Sequence, residues 1–171
     1  MDFEDDRIIV ASPEKVWANL LNPEILRKCV PGCQSLTGDV EGGFEATVVQ
    51  KVGPVKAKFK GTVHLSELNA PYSLRISGKG EGGVAGFARG GADVTLEADE
   101  LGTKLSYAVK AQIGGKLAQL GSRIIDSFVS QMANQFFETF QSEVEGANLT
   151  VAEVPMQKIG FWKRILHIFK K

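Results

Sequence analysis

Residues 114–145 read GGKLAQLGSRIIDSFVSQMANQFFETFQSEVE. Leu117, Leu120, Ile124, Phe128, Met132, Phe136, Phe140 and Val144 recur at three- and four-residue steps, the period of an α-helix. Ile125, Val129 and Phe137 widen the stripe. The pattern predicts one helix over about 116–145, roughly 45 Å long at 1.5 Å per residue. A helix with so broad an apolar face needs a large surface to cover it, and the rest of the chain has to supply that surface.

The preceding segment, 33–113, has period two instead. Strands are expected at 33–40, 43–51, 54–68, 72–80, 84–98 and 103–113. Between them stand turn signals such as Glu41-Gly42-Gly43, Gly53-Pro54, Asn69-Ala70-Pro71 and Glu81-Gly82-Gly83. Consecutive strands with short connections make an antiparallel meander, whose concave face is the one candidate cover for the long helix. Residues 2–10 alternate and read as a further strand. Ser12-Pro13-Glu14 then opens a short helix carrying Val16, Trp17, Leu20 and Leu21, with Ser12 as N-cap. Asn22-Pro23-Glu24 opens a second, with Ile25, Leu26 and Val30, and Pro31-Gly32 ends it.

Composition narrows the function classes. A chain of 171 residues holds one well-cored domain plus an appendage, and 43% hydrophobic with 23% charged residues is a globular balance. The acidic start, Met1-Asp2-Phe3-Glu4-Asp5-Asp6, is not a secretory leader, and no run approaches the ~20 apolar residues of a spanning helix. The expected setting is therefore cytoplasmic. Cys29 and Cys33 are separated by three residues, which fits neither a redox pair nor a zinc pair, and His64 and His167 are isolated. No metal site is expected, and the two thiols read as inert. The net charge of zero hides an asymmetry: from Lys158 onward there are five Lys or Arg and no Asp or Glu, on a body that is mildly acidic. That balance gives no reason to expect nucleic acid as a partner.

The basic end is an object in itself. Residues 146–158, with Pro155, read as a tether spanning on the order of 20 Å as a flexible coil. On a helix over 159–171, Phe161, Trp162, Ile165, Leu166, Ile168 and Phe169 group on one side, with Lys163, Arg164, His167, Lys170 and Lys171 on the other. Such a segment is too short to cross a bilayer but suits its interface, where aromatic rings sit at headgroup depth and each cation contributes about 1 kcal/mol near anionic lipid. A protein partner and packing onto the domain are the alternatives, and neither calls for five cations without an anion. The expectation is peripheral, reversible attachment to a membrane surface.

The order strand, two short helices, meander and long C-terminal helix is an α+β helix-grip arrangement, in which a curved antiparallel sheet wraps the helix and encloses an apolar cavity. Several motifs carry a resemblance: Pro31-Gly32-Cys33, the run KVGPVKAKFKG at 51–61, GVAGFARG at 83–90 and GGKLAQLG at 114–121. Together they resemble the family of the carbon monoxide dehydrogenase G subunit, within the START/Bet v1-like superfamily, over about residues 1–145. The resemblance implies an accessory, non-catalytic protein for a molybdenum-containing carbon monoxide dehydrogenase or related hydroxylase. It further implies attachment of that enzyme to the inner face of the cytoplasmic membrane, and a quinone (menaquinone or ubiquinone) held in the cavity.

The residues themselves offer binding more readily than catalysis. Phe59, Val84, Phe87 and Tyr107 are the expected sheet side of the cavity, and Leu120, Ile124, Phe128 and Met132 its helix side. An apolar hollow of this kind suits an isoprenoid or aromatic small molecule, bound by area. Gly78-Lys79-Gly80-Glu81-Gly82-Gly83 matches G-x-G-x-x-G, but a strand rather than a helix is expected after it, so it reads as a hairpin. The glycines of 82–91 suit either the bends of a curved sheet or room for a ligand. Lys51, Lys56, Lys58 and Lys60 share about one strand face, as a solvated surface or a dock for an acidic partner. There is no nucleophile–base pair and no carboxylate pair in an apolar context. An assembly factor for the hydroxylase, or a small enzyme using the cavity as active site, are the rival readings.

Overall fold

A computed structural model describes residues 1–149 of the chain. The tail at 159–171, and all of the tether beyond 149, lie outside the described residues. The elements run β1 (Asp2–Ile9), α1 (Pro13–Leu20), α2 (Pro23–Cys29), β2 (Cys33–Asp39), β3 (Gly43–Val52), β4 (Val55–Asn69), β5 (Ser73–Glu81), β6 (Phe87–Asp99), β7 (Gly102–Gly114) and α3 (Ser122–Leu149). The seven strands form one antiparallel sheet in the order β1-β7-β6-β5-β4-β3-β2, so the meander is continuous and β1 returns to pair with its last strand.

Local chemistry accounts for the short helices. Ser12 Oγ accepts from the Lys15 N–H at 3.3 Å and Asn22 Oδ1 from the Glu24 N–H at 3.0 Å, each with proline at the first helical position. Two boundaries differ from the sequence reading. A 3₁₀ turn, Gly83–Ala85, delays β6 to Phe87, and a second, Gly115–Leu120, delays α3 to Ser122. Gly121 separates the second turn from α3 at φ +88°, a conformation that breaks helical continuity. At its other end α3 runs on to Leu149, past the expected stop at 145. In the sheet, a Cβ on Gly90 would stand 2.1 Å from the Lys110 carbonyl oxygen, so this close pairing of β6 and β7 requires glycine.

The core divides in two along α3. Near its C-terminal end Phe137, Phe140 and Val144 pack with Ile9, Val16, Leu96 and Leu105. Near its N-terminal end Ile125 packs with Val52 and Leu117, and Phe59, Phe128 and Val129 lie against them. The buried line is thus Ile125, Phe137, Phe140 and Val144, while Ile124, expected on the core stripe, is 38% exposed. Polar ties fix the C-terminal end: Gln141 Nε2 donates to the Ile8 carbonyl at 2.9 Å, Thr103 Oγ1 to the Ala11 carbonyl at 2.6 Å, and Lys28 lies 3.7 Å from Glu143.

Glu145 sits in this corner at 3% exposure, and its Oε2 has no hydrogen-bond partner. Burial pushes its carboxyl up from 4.5 to about 7, against the pull of hydrogen bonds from the Gln141 side chain and the Val10 backbone. The folded state therefore holds a proton that the unfolded chain releases near pH 4.5, so this group makes stability fall from pH 4.5 to about 7 and level off above. Glu145→Gln should flatten that slope and raise the thermal midpoint by a few degrees at about pH 8, while changing little at about pH 5. Thermal melts of the two proteins across pH are the check.

Candidate functional site

Between the two core clusters, sheet and helix stand apart. The space is a cavity of about 500 Å³, inside the ~300–1,000 Å³ range usual for small-molecule sites. Its floor is the inner face of the sheet, where strand alternation stacks directly opposed side chains. Phe44 faces Val63, Leu65 faces Ile76, Leu74 faces Val94, and Val94 faces Tyr107. Leu20 and Leu26 close one side from α1 and α2, and Phe136 and Phe137 form part of the roof. The hollow exists because α3 presents Ala133 here, a single methyl between the bulkier ends of the helix. Glycine at 61 and 80 removes two further side chains from the floor.

Tyr107 is the one lining residue with a polar side chain, and neither carboxylate, imidazole nor thiol lines the cavity among the described residues. The tyrosine ring stacks on Phe137 at 5.2 Å between centroids. Its hydroxyl is buried without a well-formed hydrogen bond, on the side of Arg7. Burial chiefly, with the charge of Asp5, raises the phenol above its usual range, while Arg7 draws it down; it stays neutral at physiological pH. Arg7 is held at the rim by Asn134 at 2.5 Å and Asp5 at 3.3 Å, with its guanidinium 5.2 Å over the Phe137 ring. The surface offered to a ligand is therefore apolar.

The eight expected lining residues fall into three groups. Phe59 and Tyr107 line the cavity. Leu120 and Phe128 pack in the N-terminal core cluster, beyond the cavity wall. Val84, Phe87, Ile124 and Met132 are not on the wall: Val84 is 87% exposed on the 3₁₀ turn, and Ile124, 38% exposed, lies against the Gly53 turn. Phe87 stands opposite Glu81, which stands opposite Lys60, and this register puts it on the outer face of the sheet. Among the lining residues not anticipated are Phe44, Val63, Leu65, Ile76, Val94 and Ala133. Steps of two from Phe59 reach Val63 and Leu65, so the signal for part of the floor was present.

The remaining candidates are plainly placed. Lys56, Lys58 and Lys60 alternate along β4 on its exposed side, with Lys51 directly opposite Lys56. The glycine run at 78–83 ends in the 3₁₀ turn and β6, with no helix N-terminus to meet a phosphate. Burial, with the charge of Glu143, drives the Cys29 thiol up to about 11, and Cys33 is also raised, mainly by burial, so neither carries appreciable thiolate at neutral pH. A second hollow, of about 660 Å³, is an open depression on the outer face of the sheet bordered by Lys79, Arg89 and Lys110. Among the described residues no helix is long and apolar enough to cross a membrane.

Filling the cavity from its roof tests whether it is a binding space. Ala133→Phe should keep the fold, because the added ring enters a hollow, and should weaken uptake of an apolar fluorescent dye by about tenfold or more. Fluorescence titration of both proteins reads this directly.

Comparison with known proteins agrees with this architecture. A conserved protein from Geobacillus kaustophilus superposes with TM-score 0.80 at 28% identity, covering 86% of this chain and 97% of that one. A Chromobacterium violaceum protein gives TM-score 0.62 at 19% identity over 84% and 97% of the two chains. Ara h 8.0201 gives 0.59 at 16% identity over 85% and 98%, a likeness of fold alone. The fold is the helix-grip, START/Bet v1-like one that the order of elements implied. No curated protein matches the chain. The family model of the carbon monoxide dehydrogenase G subunit (CoxG) matches residues 7–145, and the chain belongs to that family.

Proposed function

We propose that this chain is a non-catalytic carrier and recruitment factor. It holds a hydrophobic small molecule, a menaquinone or ubiquinone, in the cavity. It brings a molybdenum-containing carbon monoxide dehydrogenase or related hydroxylase to the inner face of the cytoplasmic membrane, so that the enzyme's electrons reach the quinone pool. The carrying observation is the character of the wall: about 500 Å³ bounded by Leu, Ile, Val, Phe, Ala and Gly, with Tyr107 the one polar side chain and no titratable pair facing it among the described residues. Catalysis by acid and base needs such a pair, whereas a ligand bound by area needs only dry surface. Each 100 Å² of ligand apolar surface removed from water contributes about 2.5 kcal/mol before ordering costs. Family membership supports the partner, and the charge pattern of 159–171 supports the membrane.

Two measurements test the two halves. Native mass spectrometry and solvent extraction of protein from a quinone-producing host should recover a lipid-soluble quinone near one per chain. Protein that is repeatedly empty, and stays empty when offered the quinone, contradicts the carrier. Co-sedimentation with anionic vesicles should fall at least about tenfold when the chain is ended at Pro155, because five cations and the aromatic side of the tail are lost.

A further inference from the structure

Three connections meet at the end of the sheet where α3 begins: the β3–β4 turn, the 3₁₀ turn Gly83–Ala85 and the 3₁₀ turn Gly115–Leu120. They are in close contact. A Cβ on Gly53 would stand 3.3 Å from Ile124 Cγ2 and 3.9 Å from Leu120 Cδ1. One on Gly86 would stand 2.1 Å from the Gly114 carbonyl oxygen, and one on Gly82 would stand 2.4 Å from the Phe59 ring.

The segments that build this tip, 51–61, 82–92 and 110–125, contain eight Lys or Arg and no Asp or Glu, in a chain with 20 of each sign. The nearest carboxylates in sequence, Glu81, Asp93 and Asp126, border them. Across the sheet Glu81 is opposite Lys60 and Asp2 is opposite Lys110, so Lys51, Lys56, Lys58, Arg89, Lys116 and Arg123 are the cations without a carboxylate directly opposite them in the sheet. Lys51 stands directly opposite Lys56, a like-charge cross-strand pair that costs stability unless an external anion relieves it. Lys116 and Arg123 are exposed on the third segment.

Apolar groups project among these cations. Of the six exposed large hydrophobic residues among the described ones, three are here: Val84 at 87%, Ile124 at 38% and Phe87 at 37%. Val84 crowns a turn bounded by Gly82, Gly83 and Gly86, and the Arg89 guanidinium lies 5.9 Å over the Phe87 ring. Cations alone would suit any acidic surface. An apolar crest ringed by cations matches a membrane interface, where acyl chains take the crest and phosphates take the ring. Phe59 belongs to both regions, lining the cavity and backing the tip at Gly82, so seating the tip would bring one cavity wall close to the lipid.

We propose that this end of the folded domain is a lipid-contact surface in its own right, seating Val84, Phe87 and Ile124 at headgroup depth of an anionic bilayer. The contact is separate from the segment 159–171. The test uses the full chain, co-sedimented with phosphatidylcholine vesicles with and without about a third phosphatidylglycerol. Lys56→Glu with Lys58→Glu, and separately Val84→Asp, are expected to lower partition onto the anionic vesicles by about tenfold or more, with thermal midpoints that do not fall. The first variant, which puts Glu opposite Lys51, should melt slightly higher than the parent. A tail variant, Trp162→Glu with Phe169→Glu, is measured alongside. Loss in the tip variants with retention in the tail variant supports the tip and removes the tail from the membrane reading. Loss in both supports two contacts. Tip variants that partition like the parent overturn the proposal and leave the patch to an acidic protein surface.

Discussion

A seven-stranded sheet with one dry face has to bury that face against something long and apolar, and α3 does so at two separate places. Phe137, Phe140 and Val144 close the C-terminal end against Ile9, Val16 and Leu105. Ile125 closes the N-terminal end against Val52 and Leu117. Interior packing elsewhere in proteins leaves few voids larger than a water molecule. Here two clusters hold the helix off the middle of the sheet, and the small side chain of Ala133 leaves the gap open. Cavity, rim and tip all follow from that two-point grip.

The same constraint separates the chemistry of the two faces. Strand alternation sends Phe59, Val63 and Leu65 inward and Lys56, Lys58 and Lys60 outward from one strand. A single strand, β4, therefore supplies both a wall of the hydrophobic hollow and the cationic outer surface. Polar groups near the hollow are confined to its edge. Arg7 is engaged by Asp5, Asn134 and the Phe137 ring, and the buried Tyr107 hydroxyl is on that side. An unpaired charge inside the cavity would incur a large desolvation cost, so a wall of this composition favours neutral occupants.

Much of the architecture was legible in the sequence because its two periods are clean. The change from period two to period 3.6 near Gly114 located the sheet and the long helix, and Ser12 and Asn22 marked the short helices. The helix start was misplaced because Leu117 and Leu120 continue the apolar stripe, although Gly121 ends the 3₁₀ turn before α3 begins. The site was less legible for a related reason. A stripe drawn through Ile124, Phe128 and Met132 is a good helical pattern, yet the line that faces the sheet passes through Ile125, Ala133 and Phe137. A rotation of one residue position around the helix decides it, and only tertiary packing sets that rotation. Val84 and Phe87, expected on the sheet side of the cavity, stand outside it: the 3₁₀ turn that interrupts the expected strand at 84–98 holds Val84 in solvent, and the register puts Phe87 on the outer face.

The central claim is that the space under Ala133 takes up a neutral apolar molecule. The most direct measurement is a methyl-labelled NMR titration of the full chain with a short-chain quinone. Saturable shifts at Leu65, Leu74, Ile76 and Val94, with Val84 and Ile124 unmoved, are the result this account predicts, since only the first four line the cavity. Shifts confined to the exposed methyls, or none at ligand saturation of the solution, would contradict it.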